Sequence, residues 1–298
     1  MHKTPLLIEQ HIHGAFGIDF NTVTSIDEVL YLTEKLQEHG IGRYFPTLVT
    51  DSIQNVKKQT SIIKAASKLT KNILGIHLEG IFINLIKKGI HNSEHFLDLT
   101  KENFKLIEDD FIKIVTLAPE LDKGLVDYLI QKGIKVQAGH CIGGNLEKIN
   151  GVTHLFNAMS GIEHRKEGTA LSALINDEIY TEIIADGIHI SDATLKLILK
   201  SKPTNKILLI SDALPITYSS LKETTFADSK IYYDGHKATS ATGTIAGSTI
   251  LLDKIIKRLF KMGVMNPIFI KNVYEYHAIE PQGEITWDDE WNIIEIKN

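Results

Sequence analysis

Eight short apolar runs recur along the 298-residue chain, with helix-like or mixed stretches between most of them. They cover about 6–12, 42–49, 73–78, 112–117, 135–138, 152–155, 180–185 and 207–210. Between the first two, residues 25–39 carry Ile26, Val29, Leu30, Leu32 and Leu36 at the spacing of one helical face, with Gly40 placed to end it. Residues 52–69, 121–131 and 192–200 repeat the pattern, the last with Asp192 expected as its N-cap. Strands that alternate with helices are joined by right-handed crossovers into a parallel sheet, and eight repeats favour closure. The expected fold is therefore α/β, a TIM-like (β/α)8 barrel spanning about 1–270. An open doubly wound sheet is the alternative, weakened because no glycine-rich dinucleotide fingerprint follows the first run. After the eighth run the pattern changes. A polar hairpin insertion is expected at about 218–242, then a helix at about 248–262, then a short C-terminal β tail over 271–298.

Five of these runs end on chemistry. The first opens onto His11 and His13, and others lead to His77 and Glu79, to His140, to His154 and to Asp212. In a parallel barrel the core holds the apolar side chains while strand tips face the mouth, so polar endings collect at one end. His11 and His13 stand two apart, which on a strand points both imidazoles to one face. Glu79 lies in an apolar setting where an unpaired carboxylate is costly. Imidazole nitrogen with carboxylate oxygen suits zinc or another first-row ion. His77 reads better as a wall residue than as a ligand. Asp212 has the placement of a general base for water, with a helix N-cap as its plain alternative. Together these endings point to a metal-assisted hydrolase.

Bulk properties narrow the setting. Thirty-two Lys and Arg against 37 Asp and Glu give a net charge of −5, which argues against a nucleic-acid binder. An anionic small substrate must then be held by local donors. Cys141 is the only cysteine, so no internal disulfide forms and a reducing compartment is expected. No run reaches membrane-span length and the first residues are a poor signal peptide, so a cytoplasmic protein with no membrane partner is expected.

Several motifs resemble one family. Residues 75–80 (Gly-Ile-His-Leu-Glu-Gly), 88–92 (Lys-Gly-Ile-His-Asn), 153–159, 185–189, 211–213 and 243–248 are similar, in order and separation, to N-acetylglucosamine-6-phosphate deacetylases of the amidohydrolase superfamily. The resemblance implies that Glu79, His140 and His154 hold a primary divalent metal, zinc being expected over iron, with a second ion beside His11 and His13. It implies Asp212 as the catalytic aspartate and His91 as the donor to the acetyl carbonyl. It further implies His189, Arg165, Asn157 and Ala158 as contacts for a phosphorylated amino sugar, with Arg165 reaching across a homodimer. The implied reaction is hydrolysis of an acetamide to amine and acetate. Another N-acetyl sugar phosphate, a cyclic amide, or a silent sugar-phosphate-binding barrel are the alternatives. The chain departs from the family pattern at Ile81, at 141–143 and at 211–215. It also lacks the segment that precedes the first strand in the family, so the small β-sandwich is expected to be reduced or missing.

Overall fold

A computed structural model describes all residues, 1–298. Eight parallel strands run in chain order around the sheet: β1 Leu7–Ile12, β2 Ile41–Val49, β3 Ile76–Glu79, β4 Ile112–Leu117, β5 Lys135–Ala138, β6 Gly151–Val152, β7 Tyr180–Ile183 and β8 Ile207–Leu209. Each coincides with one of the eight apolar runs. Their β-branched residues are buried on both faces, as a sheet wrapped by helices requires. Outside lie the helices Ile26–Glu38, Ile53–Ser67, Leu125–Gln131, Thr169–Ile175, Asp192–Ser201 and Leu252–Lys261. Val29, Leu32 and Leu36 of the first form its buried face, and Ser25 caps it by accepting from the Glu28 N–H. Asp192 proves to be the first helical residue. Ser191 is the cap, accepting from the Thr194 N–H, and Asp192 contributes acidity in the first turn.

The barrel closes at its strand tips. No ladder joins β8 to β1; instead Ile12 bridges Ala213, the Asp212 N–H donates to the His11 carbonyl at 2.9 Å, and the His13 N–H to Ala213 at 3.0 Å. Lower in the seam the buried Glu9 carboxylate accepts the N–H groups of His11 (3.0 Å) and Ser211 (2.9 Å), replacing the absent ladder bonds. This seam sets His11, His13 and Asp212 side by side.

Two regions differ from expectation. The expected hairpin is a four-stranded antiparallel sheet, Glu223–Phe226, Ser229–Tyr233, Ala238–Ser240 and Ile245–Gly247, with its own small core of Phe226, Ile231 and Ala238 against Val49, Leu214 and Ile216. The C-terminal β tail does not begin at 271. A helix, Ile268–His277, continues through that point and packs Phe269, Ile270 and Val273 inward, and strands follow only at Glu284–Trp287 and Ile293–Lys297. These two pair with His2–Thr4 in a three-stranded sheet, a contribution from the first residues that their polarity concealed. Trp287 is fully buried there and its indole N–H donates to the Thr4 hydroxyl at 2.8 Å. One small sheet is thus built from strands at both ends of the sequence.

Candidate active site

Chain direction changes abruptly at the strand tips. His140 (φ 49°), His154 (φ 31°) and Asp212 (φ 52°) all sit in the left-handed region although none is glycine. Such conformations are costly and persist only where the surroundings hold them. Here each directs a side chain over the barrel mouth. Gly80 (φ 112°) meets a related demand: a Cβ there would lie 2.0 Å from the Thr50 hydroxyl and 2.8 Å from His91 Nδ1.

Glu79, at the tip of β3, stands at the centre. Its Oε1 lies 2.8 Å from His154 Nε2 and 3.3 Å from His140 Nε2. Its Oε2 lies 3.2 Å from His13 Nε2 and 3.4 Å from His11 Nε2. Asp212 Oδ1 faces the same two imidazoles at 3.2 and 3.4 Å. The outward nitrogens fix the tautomers. His11 Nδ1 pairs with Glu182 (3.1 Å), His13 Nδ1 with the Thr47 carbonyl (3.3 Å) and His140 Nδ1 with the Lys87 carbonyl (2.8 Å). Each donates outward, so its Nε2 lone pair turns inward, the arrangement that supports imidazole ligands. His154 Nδ1 is buried without a partner.

So many lone pairs facing one another need positive charge among them. In the ion-free protein protons supply it. Burial opposes charge on His13, but its hydrogen bonds to Asp212 and Glu79 outweigh burial and hold its pKa up at about 9. Burial likewise opposes ionisation of Glu79, and the surrounding histidines, His11 foremost, hold its carboxyl far below the usual range. Asp212 is held down for the same reason, against burial, by His11 and His13. A divalent cation would displace those protons, and the donor set of nitrogens and carboxylate oxygens fits one. The clusters Glu79–His140–His154 and His11–His13–Glu79 share the Glu79 carboxylate.

The remaining predicted residues divide. His91 lines the cavity, and burial followed by the charge of His140 holds its ring neutral. The Thr50 hydroxyl accepts from the Ile81 N–H at 2.8 Å and meets His91 Nδ1 at 2.8 Å. With one lone pair taken by Ile81, the Thr50 hydroxyl proton is free to be donated to Nδ1, the tautomer that puts an N–H on His91 Nε2, facing the cavity. His189, with Nδ1 held by Asp186 at 2.8 Å, and Asn157 and Ala158 line the same space. Arg165 does not: it is exposed on the loop 162–167, outside the cavity. His77 is a wall residue, its nitrogens satisfied by the Gln10 carbonyl and Thr116 hydroxyl. Burial pushes the Cys141 thiol up to about 12, which removes it as a nucleophile.

The cavity measures about 430 Å³, and the four-stranded sheet overhangs it, Phe226 packing its edge on His13 at 5.0 Å. Lys87 is the one lysine among its walls, which carry no arginine. A larger, shallower depression at Gly144–Glu147 and Ile175–Asp177 carries carboxylates and no histidine, and lies apart from this chemistry. Lys87, Thr50, Phe226 and Glu182 were not anticipated as site residues. Glu182 alone had a readable signal, a carboxylate inside an apolar strand run.

Convergent imidazoles and carboxylates at the strand tips of a parallel barrel place the chain among the metal-dependent amidohydrolases. No family model matches the sequence. An N-acetylglucosamine-6-phosphate deacetylase of Bacillus subtilis is 31% identical over 94% of this chain and 75% of its own length. An N-acetylgalactosamine-6-phosphate deacetylase of a Shewanella species is 27% identical over 82% of this chain and 64% of its own. Among solved structures, N-acetylglucosamine-6-phosphate deacetylase from Pasteurella multocida superposes with a TM-score of 0.91 at 25% identity, covering 99% of this chain and 84% of that one. The chain belongs to the N-acetylglucosamine-6-phosphate deacetylase family.

Proposed function

We propose that the protein hydrolyses the acetamide of N-acetylglucosamine 6-phosphate to glucosamine 6-phosphate and acetate. The observation that carries this reading is the Asp212 carboxylate, set beside the shared Glu79 ligand cluster at the mouth of a cavity large enough for a sugar phosphate. Glu79, His140 and His154 would hold a divalent ion, and His11 and His13 a second. When bound, such an ion, zinc in our reading, supplies Lewis acidity for the carbonyl and for an attacking water. Asp212 takes the proton of that water and returns it to the departing amine, which otherwise leaves poorly. The His91 N–H stabilises the oxyanion, worth about 3 kcal/mol for a well-aimed donor. His189, Asn157 and Ala158 position the phosphate, and binding at that remote group aligns the amide. Arg165 serves only from a second copy, across a homodimer. We place the enzyme in the cytoplasm; no helix is long and apolar enough to cross a membrane.

The galactosamine epimer is the second reading, favoured by the Shewanella relative. Ion-loaded protein incubated with each 6-phosphate separates them: acetate release is expected to favour the gluco epimer in kcat/KM. Release from neither would end the hydrolase assignment. Lys87, the one permanent cation in the cavity wall, is this chain's own candidate for the phosphate. Its backbone carbonyl accepts from His140 Nδ1 at 2.8 Å, which roots it beside the Glu79–His140–His154 cluster. Lys87→Ala should raise KM about tenfold for the phosphorylated sugar, the loss of one charge-assisted contact, and leave kcat nearly unchanged. An unchanged KM would remove Lys87 from the substrate contacts.

A further inference from the structure

We propose that Glu182 is a positioning residue for both ligand clusters, and that it governs retention of the ion beside His11 and His13. The inference rests on the metal-hydrolase reading and deepens it. Glu182 lies in β7 with its side chain inside the barrel, wholly shielded from solvent. A carboxylate at that depth is costly unless every lone pair has work. Its Oε2 accepts from His11 Nδ1 at 3.1 Å and from the backbone N–H of His154 at 3.2 Å. One oxygen thus holds the ring of a residue in one cluster and the left-handed turn that aims a residue of the other. Its Oε1 takes the Gln10 amide, and Gln10 Oε1 meets His277 Nε2 at 2.9 Å. His277 stacks on Phe45 with ring centroids 4.5 Å apart. The chain His277–Gln10–Glu182–His11 therefore anchors the ligand shell to the C-terminal helix Ile268–His277. The Gln10 amide in its middle makes this a brace for orientation; it is not a proton path. A carboxylate behind an imidazole also raises the basicity of the ligating nitrogen, and losing such a partner costs about 10- to 100-fold in ion affinity.

The test compares wild type with Glu182→Gln and Glu182→Leu, each loaded with zinc and dialysed against a dilute chelator. Ion content is measured by mass spectrometry, and the His11 tautomer by histidine ring nitrogen shifts. Wild type is expected to keep two ions per chain. Glu182→Leu should keep one, with the second held about 10- to 100-fold more weakly and the His11 Nδ1 signal displaced. Glu182→Gln keeps the shape and one acceptor, so it folds where the leucine variant fails, and should show a smaller loss in the same direction. A wild-type content of one ion would overturn the proposal, as would equal second-ion affinity in a folded variant. The functional reading fails separately, by absence of acetate release from wild type with its full ion content.

Discussion

Asp212→Asn should lower kcat by about four orders of magnitude, the upper end of what losing a general base costs, while the ion held by Glu79, His140 and His154 stays bound. Asparagine keeps the shape of the side chain and an oxygen toward His11 and His13, and cannot accept the proton of water. It is also the replacement the backbone tolerates. At φ 52° an alanine would meet the left-handed strain unaided, whereas asparagine visits that region readily. A fall in kcat therefore reads as chemistry and not as unfolding. The carboxyl lies below its usual range in the ion-free protein, so in wild type it is ionised at neutral pH, ready to act as base. The acid limb of the kcat/KM profile that reports its ionisation should disappear in the variant. Steady-state acetate release with a parallel ion assay checks both. Turnover within tenfold of wild type would place the proton on some other group.

Much of this site was legible because it lies at the ends of strands. Eight apolar runs became eight barrel strands, and the residues that closed them, Glu79, His140, His154 and Asp212, stand together with His11 and His13. A parallel strand buried on both faces has to read as apolar, so an ionisable residue at its end stands out. Other features left no such mark. The Thr50 hydroxyl that meets His91 Nδ1 belongs to one ordinary threonine just past a strand end. The role of Lys87 depends on where the loop after β3 folds over the mouth, which no local pattern encodes. His2–Thr4 pairs with residues 285–287, a contact fixed by tertiary packing of the two ends. The helix through 271–277 was missed because its Tyr, Ile and Val residues suit a strand equally well, and packing against β8 and β1 decides between them. Arg165 was placed by resemblance alone, and a single chain leaves it exposed on the loop 162–167.

Glu79→Gln should strip the protein of both ions, because Glu79 is the one ligand common to both clusters. One carboxylate oxygen faces His140 and His154, the other His11 and His13. An amide gives one acceptor and one donor, so one imidazole pair must confront an NH2 group with its lone pairs. Negative charge is lost as well. The hydrogen bond that His13 donates to Glu79 helps to hold its pKa at about 9, so removing the carboxylate lowers that pKa and leaves less to draw any cation inward. Ion content by mass spectrometry should fall to about a tenth or less of the wild-type value, since an uncompensated ligand loss of this kind typically costs well over tenfold in affinity. Acetate release should fall with it. Stability supplies an independent reading. An ion that binds only the folded state raises the melting temperature by mass action, so a chelator should lower Tm in wild type and leave Glu79→Gln unmoved. The variant should still melt cooperatively, for Glu79 sits at a strand tip above an intact apolar core. Two ions retained in Glu79→Gln, with Tm still falling on chelation, would mean that the metal is held elsewhere and that this carboxylate is not its bridge.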